Sequence, residues 1–271
     1  MRDYAIILAA DLPTPQEVIS VVKAVGKIVD GIKIAEATLL QAGVSIIERV
    51  RELVDGRPIL LDLKIADIGF LGNTGWEGTN GKIIRSLAGC GATHLTVHGF
   101  PGPTSVAEAV SVAREAGIGV LLLPLMSHAG AGLFYSRPID RSHVVYASLK
   151  AALDLNFPED LTCTDVTEGI LLLGEALDVD GYIGPATRPS DLGRYRALSS
   201  KPIWCPGFGR QDRLGRPFEE QFRNWANIVG PASAAIVGSM IFGAADRAAA
   251  AREVCEIRDR VVGSNRQESV S

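Results

Sequence analysis

The chain has 271 residues, of which 47% are hydrophobic and 21% are charged, a balance that excludes disordered, collagenous and fibrous proteins. With 27 basic and 31 acidic residues the net charge is −4. No cluster of Lys and Arg is dense enough to follow a phosphate backbone, so we expect no nucleic-acid partner.

Short apolar runs recur along the chain, and segments of helical periodicity separate them. The runs are continuously apolar, which is typical of parallel strands covered on both faces. The eight predicted strands are AIILAAD (5–11), GIKIA (31–35), PILLDLK (58–64), THLTVHG (93–99), GVLLLPL (119–125), DGYIGPA (180–186), PIWCPG (202–207) and SAAIVGS (233–239). The predicted helices include 14–27, 38–54, 104–116 and 243–262.

Eight βα units in one chain predict an α/β fold of the closed (β/α)8 TIM barrel type. The alternative is an open doubly wound sheet, but the first strand is followed by AADLPTP and not by a Gly-rich dinucleotide turn. We assign 1–263 to a single barrel domain and 264–271, SNRQESVS, to a polar tail. Two stretches, 69–78 and 135–167, exceed ordinary loop length and are interpreted as insertions, the second with a helix at 142–153.

The sequence also bears on the cellular compartment. Its four cysteines are far apart and form no C-x-x-C pair, which favours free thiols in a reducing compartment. The first apolar run soon meets Asp11, which is not the pattern of a signal peptide, and all apolar runs are shorter than a bilayer span requires. We therefore expect a cytoplasmic protein without a membrane partner.

Polar residues stand where each predicted strand ends. In barrel enzymes the carboxyl-terminal rim carries the chemistry, so these residues are candidates for the site. They are Asp11, Lys33, Asp62, Lys64, His98, Ser127, Thr187, Arg188, the segment Gly207 to Gln211, and Ser239.

The densest charged signal is LLDLKIADIG, in which Asp62 and Lys64 end an apolar strand. Alternation along a strand places both side chains on one face. If that face is the mouth of the barrel, the two charges are partly desolvated beside Lys33 of the second strand, and each stabilises the other. A structural ion pair at a strand end is the alternative interpretation.

The pattern D-x-K-x-x-D-I, at Asp62, Lys64, Asp67 and Ile68, resembles the signature of the orotidine 5'-monophosphate decarboxylase family. The same signature without its last residue is shared with sugar-phosphate decarboxylases and aldolases of the superfamily. Further segments in the same order narrow the resemblance to the orotidylate branch, particularly its archaeal-like members. They are LAADL (8–12), GIKIA (31–35), HGFPG (98–102), MSHAGA (126–131), GPATRP (184–189) and PGFG (206–209).

The resemblance implies cofactor-free decarboxylation of orotidine 5'-monophosphate at C6 to give UMP, the last step of de novo pyrimidine synthesis. It assigns Lys64 as the proton donor to C6 and places Asp62 against the substrate carboxylate, where repulsion disfavours the ground state. Lys33 and Asp67 complete an alternating network that keeps Lys64 charged. In the family the second aspartate reaches into the partner's site, so Asp67 implies a homodimer with shared active sites.

The resemblance also implies how substrate is bound. Asp11 and Lys33 bind ribose hydroxyls, Ser127 binds the pyrimidine amide edge, and Gln211 reaches the phosphate. A cradle after strands seven and eight, rich in glycine so that backbone can approach closely, completes the phosphate site. Its members are Pro206, Gly207, Gly209, Gly238 and Ser239.

Two departures from the family pattern stand out. The family has an arginine that clamps the phosphate where this chain has Ser239, and Arg210 or Arg213 is the expected replacement. About eight extra residues follow Asp67, so the threonine that reaches the partner's site is assigned to Thr79, with Thr74 as the alternative.

Two other functions remain open from the residues. A related superfamily member would act on a sugar phosphate with the same Asp62 and Lys64 and would require Mg²⁺. A paralogue with a weakened phosphate site at Ser239 would only bind nucleotides. His94 and His98 point the same way along one strand, but a metal needs at least a third ligand and none is implied, so we expect no metal and no cofactor.

Overall fold

A computed structural model describes residues 2–70, 76–138, 165–212 and 214–268. Eight parallel strands close into a barrel in chain order, and the last strand pairs with the first. The strands are β1 (Ala5–Ala9), β2 (Gly31–Ala35), β3 (Ile59–Ile65), β4 (His94–His98), β5 (Gly119–Leu123), β6 (Gly181–Ile183), β7 (Ile203–Pro206) and β8 (Ala234–Val237). The predicted TIM barrel and its eight strands are confirmed.

Helices follow the strands and form the outer layer. Among the described residues they are α1 (Pro15–Val25), α2 (Glu36–Ala42), α3 (Ser45–Arg51), α4 (Thr79–Ser86), α5 (Pro103–Glu115), α6 (Gly132–Tyr135), α7 (Val166–Ala176), α8 (Pro189–Leu198), α9 (Phe218–Val229), α10 (Ser239–Phe242) and α11 (Arg247–Glu268). Short 3₁₀ turns lie at Ala129–Ala131 and Gly209–Gln211.

Two predicted helices differ from those observed. The single helix expected at 38–54 is divided in two, because Gly43 adopts a φ of 67° that ends α2 before α3 begins. The helix expected at 243–262 begins later, at Arg247, and continues to Glu268, so the start of the predicted polar tail is helical. The helix expected at 142–153 lies outside the described residues.

The core has two layers, because alternate residues of each strand point into the barrel and out toward the helices. The larger layer packs between strands and helices and includes Leu8, Ile34 and Phe222. The barrel interior is filled by Ala5, Ile7, Ala9, Leu60, Leu121, Leu123, Ile183, Trp204, Ala234 and Ile236. Burial on both faces explains why the strand sequences are continuously apolar.

Three of the four cysteines, Cys90, Cys205 and Cys255, are buried and free, whereas Cys163 lies outside the described residues. Burial raises the pKa of the Cys205 thiol to about 12, so this thiol is unreactive at neutral pH. Among the helices that the structure describes, none is long and apolar enough to span a bilayer.

Candidate active site at the barrel mouth

The predicted site residues lie at the carboxyl ends of the strands or in the loops that follow them. Because parallel strands end at the same side of a barrel, these residues share one rim. Asp11 follows β1; Lys33 is in β2; Asp62 and Lys64 are in β3; Asp67 follows β3; Thr79 begins α4; Ser127 follows β5; Pro206 ends β7; Gly207, Gly209 and Gln211 follow β7; and Gly238 and Ser239 follow β8.

Four of these side chains form a continuous charged cluster. Lys33 Nζ lies 2.8 Å from Asp11 Oδ1 and 3.0 Å from Asp62 Oδ2. Lys64 Nζ lies 2.7 Å from the other oxygen of Asp62, Oδ1. The charges therefore alternate in sign, as Asp11, Lys33, Asp62 and Lys64, and each ammonium contacts at least one carboxylate.

Burial and charge compete at the centre of this cluster. Burial by itself lowers the pKa of Lys33, which is only 6% exposed, but Asp62 and Asp11 more than offset it and raise that pKa above its usual value. Burial by itself raises the pKa of Asp62, but Lys33 and Lys64 hold it below its usual range. Both groups are therefore charged at neutral pH.

A bulge in β3 sets the positions of Asp62 and Lys64. Four residue steps along β3, from Leu61 to Ile65, face only two steps along β4, so the register shifts between them. Within this bulge Lys64 adopts a φ of 49°, a left-handed conformation that is uncommon for residues other than glycine. Bulges next to active sites re-aim side chains, and this one brings the Lys64 ammonium onto Asp62.

A buried threonine of β4, Thr96, connects Asp62 and Lys64 within the bulge. Its hydroxyl accepts the N–H of Lys64 at 2.7 Å and donates to Asp62 Oδ1 at 3.2 Å. Thr96 is not among the site residues predicted from the sequence. The available signal was a hydroxyl between two apolar residues, Leu95 and Val97, in phase with His94 and His98.

Asp67 lies apart from the charged cluster of its own chain. Its side chain is exposed, its Oδ1 accepts the N–H of Ile68, and it forms no ion pair with any residue that the structure describes. Its backbone is fixed instead: Asn80, which is fully buried, accepts the N–H of Asp67 and donates to its carbonyl. Asn80 also donates to Ser105, which in turn donates to the Asp67 carbonyl. The loop is therefore anchored while its carboxylate faces outward.

The two histidines of β4 lie at opposite ends of the strand and contact different groups. His94 packs on Trp204 in the interior core, with ring centroids 5.0 Å apart. His98 lies at the mouth, where its Nδ1 accepts the N–H of Phe100 and its Nε2 lies 2.7 Å from Tyr135 Oη. Burial and the positive charge of Lys64 hold the pKa of His98 below its usual value, so the ring is neutral. No group of three or more potential metal-binding side chains occurs among the described residues.

The loop after β7 forms the predicted phosphate side of the rim. Gly207 has a φ of 122° and lies against Thr187, where a Cβ would come within 3.1 Å of the threonine methyl carbon. The N–H of Gly209 donates to Gln221 Oε1 at 2.9 Å, so binding of a ligand at this N–H requires exchange of that bond. Gln211 is exposed on the adjacent turn.

The arginines in the segments that follow β6 and β7 differ in their availability. Arg216 is held by two hydrogen bonds to the Asp212 carboxylate, so its charge is already paired. Arg188 contacts Asp191 and the carbonyl of His128. Arg210 is exposed beside the predicted phosphate loop.

Comparison with known proteins identifies the family. The model of the family described as "Orotidine 5'-phosphate decarboxylase / HUMPS family" matches residues 4–254, which is nearly the whole barrel. The chain belongs to this family. Among curated relatives, the orotidine 5'-phosphate decarboxylases of Methanococcoides burtonii and Methanosphaera stadtmanae are each 29% identical over 253 residues, covering 93% of this chain and 95% of theirs.

Solved structures of orotidine 5'-phosphate decarboxylases share the fold as well. The Methanocaldococcus jannaschii enzyme, complexed with the inhibitor BMP, superposes with a TM-score of 0.72 at 25% identity, covering 94% of this chain and 98% of that chain. The Pyrococcus horikoshii enzyme gives a TM-score of 0.67 at 25% identity, covering 93% and 98%. The family resemblance found in the sequence motifs is therefore confirmed over the length of the barrel.

Proposed function

We propose that this protein decarboxylates orotidine 5'-monophosphate to UMP in pyrimidine biosynthesis, without a metal ion or an organic cofactor. Family membership and the names of the curated relatives support the reaction. The observation that carries the proposal for the site is the alternating cluster, in which Asp62 lies between Lys33 and Lys64 at the barrel mouth.

The proposed chemistry uses Lys64 as the acid. The bond between C6 and the carboxylate breaks, CO2 departs, and the electron pair remains on C6. The Lys64 ammonium then gives a proton to C6, and the neutral amine regains a proton from solvent. Asp62 holds the ammonium in place through its contact of 2.7 Å.

The substrate carboxylate is proposed to approach Asp62. Two carboxylates at short distance repel each other, and the repulsion is lost when CO2 forms, so the interaction favours the transition state over the bound substrate. The two lysines balance the charge of Asp62 in the free enzyme, because both contact its carboxylate.

The remaining rim residues are proposed to bind the rest of the substrate. Asp11 and Lys33 bind the ribose hydroxyls, and Ser127 binds the amide edge of the pyrimidine. The phosphate is bound at the opposite part of the rim by the segment after β7 and β8. Its members are Pro206, Gly207, Gly209, Gln211, Gly238 and Ser239.

A homodimer with shared sites is part of the proposal. Asp67 is exposed, and the apolar residues that follow it in the chain, Ile68 and Phe70, are 55% and 41% exposed. Apolar surface next to a functional loop favours a protein contact. In the dimer, the partner's Asp67 would complete the charged network, and Thr79 would accompany it; Thr74, the alternative, lies outside the described residues. The cytoplasm is the proposed location, since buried free thiols fit a reducing compartment.

The reaction is tested by incubating the protein with orotidine 5'-monophosphate and following the loss of substrate absorbance together with UMP formation. We expect UMP to form at the same rate with and without EDTA. Activity on a hexulose or keto-gulonate phosphate that EDTA abolishes would assign the protein to the sugar-phosphate branch instead. Binding of the nucleotide without any UMP would identify a binding paralogue.

Because Ser239 stands where the family has its phosphate-binding arginine, we predict that Arg210 or Arg213 binds the phosphate instead. If one of them contacts the phosphate, its change to Ala raises the KM for orotidine 5'-monophosphate by about ten- to hundredfold, the loss of one charge-assisted contact. Arg210 is exposed beside the loop, and Arg213 lies outside the described residues. The control is Arg223→Ala, an arginine of α9 that pairs with Glu219. Unchanged KM values in both test variants would refute the replacement.

Shared sites predict that two inactive variants complement each other. Lys64→Ala and Asp67→Asn subunits, denatured together and refolded, form hybrids in which one site has an intact Lys64 and the partner's intact Asp67. We expect part of the activity to return. Mixing Lys64→Ala with Asp62→Asn is the control and restores nothing, since both residues serve the site of their own chain. Failure of the first mixture to regain activity would contradict the shared site.

A further inference from the structure

Thr96 is a polar side chain in the interior of the barrel and is only 1% exposed. It lies on β4 directly opposite the bulge of β3, between the two points at which the strands pair in register. A buried hydroxyl in such a place is stable only if its hydrogen bonds are formed.

Both hydrogen bonds of the Thr96 hydroxyl go to residues of the charged cluster. The N–H of Lys64 falls where the ladder between β3 and β4 is interrupted, and it donates to Thr96 Oγ1 at 2.7 Å. The same oxygen donates its proton to Asp62 Oδ1 at 3.2 Å, the oxygen that also accepts Lys64 Nζ. A single side chain therefore contacts the backbone of the lysine and the carboxylate that holds its ammonium.

The backbone conformation of Lys64 is unfavourable by itself and depends on contacts such as the one with Thr96. Its φ of 49° is unfavourable for a side chain with a Cβ, and such conformations persist only where surrounding contacts fix them. Without the Thr96 hydroxyl, the Lys64 N–H loses this acceptor, so the backbone of the bulge is expected to shift. The Lys64 side chain would move with it. A shift of about 1 Å in a reacting group is enough to reduce a rate by about a hundredfold.

We propose that Thr96 is a positioning residue that holds Lys64 and Asp62 in the arrangement needed for proton transfer to the substrate. The inference rests on the proposed decarboxylation. Thr96 acts through its two neighbours, and no contact of its own with the substrate is required.

A second threonine, directly before β4, provides a matched control. Thr93 also bridges to β3, where its hydroxyl accepts the N–H of Ile59 and donates to the Ile59 carbonyl, both at 3.0 Å. It directly precedes the amino-terminal end of β4, away from the mouth. Thr93→Val and Thr96→Val thus remove the same kind of bridge from the same pair of strands, at opposite ends of the barrel.

The experiment measures kcat, KM and Tm for the wild type, Thr96→Val, Thr96→Ser and Thr93→Val. We expect Thr96→Val to lower kcat by about 10- to 100-fold with KM changed by less than about threefold, because position is lost and binding is not. Thr96→Ser keeps the hydroxyl and retains most of kcat. Thr93→Val lowers Tm but leaves kcat unchanged.

The outcomes separate the inference from the proposed function. A wild type that forms no UMP refutes the decarboxylation itself. An active wild type with Thr96→Val equally active, or with kcat lost alike in Thr96→Val and Thr93→Val, overturns the role of Thr96 alone. If Thr96→Val does not fold, Thr96→Cys replaces the hydroxyl with a weakly hydrogen-bonding thiol, and wild-type kcat in that variant also overturns the inference.

Discussion

Replacing Lys64 with alanine is expected to lower the rate of UMP formation by about 10²- to 10⁴-fold, the range that a positioned proton donor contributes. The change removes the only side chain proposed to protonate C6, and it also removes the contact of 2.7 Å with Asp62. Substrate absorbance measured over time, with UMP identified as the product, gives the rate.

Two variants serve as controls, and the first separates loss of charge from loss of proton transfer. Lys64→Arg keeps a positive charge but holds its proton far more tightly, so it should remain nearly inactive if proton transfer is the role. Lys23→Ala, at an exposed lysine in the last turn of α1, should match the wild type. A Lys64→Ala enzyme with more than a tenth of wild-type kcat would contradict the assignment.

Replacing Asp62 with asparagine is expected to lower kcat by about 10²- to 10⁴-fold while KM stays equal or falls, the result typical of lost ground-state strain. Asparagine keeps the shape but removes the charge that lies between Lys33 and Lys64. The repulsion of the substrate carboxylate disappears, so substrate binds at least as well, yet the ammonium is no longer held. A KM that rises as much as kcat falls would instead assign Asp62 to substrate binding.

The same variant should be less stable at neutral pH, because two lysine ammonium groups lose a shared carboxylate. The lysines hold the pKa of Asp62 below its usual range, so its contribution to stability is present above the pKa of an unfolded aspartate and is lost as the pH falls through the folded value. Thermal unfolding should therefore show a lower Tm for Asp62→Asn at pH 7. The difference from the wild type should shrink under acidic conditions, and a constant difference would exclude this charge as its cause.

The loop after β7, which is proposed to bind the phosphate, is held by hydrogen bonds within the chain. The N–H of Gly209 is bonded to Gln221, and Gln221 also donates to the Arg216 carbonyl at 2.6 Å. These bonds fix the loop in an arrangement that leaves Gln211 exposed. The KM of the Arg210 and Arg213 variants therefore reports on whether this segment closes on the phosphate.

The fold, and the rim that carries the candidate site, were predictable from local patterns in the sequence. The eight apolar runs are continuous because both faces of each strand are buried, and that pattern is local and readable. Parallel strands all end on the same side, so polar residues at strand ends such as Lys33 and Asp62 had to share one rim. A shared rim makes contact between them possible, and Lys33 and Asp62 lie 3.0 Å apart.

How the side chains of the rim are oriented depends on contacts between segments that are distant in the chain. The bulge in β3 depends on how that strand pairs with β4, about thirty residues away, and a local alternation pattern contains no record of a shift in register. For the same reason, the hydroxyl of Thr96 could be recognised as a partner of Lys64 only when the two strands were placed side by side. Asn80 fixes the Asp67 loop across thirteen residues, again through side-chain contacts that the spacing of residues does not encode.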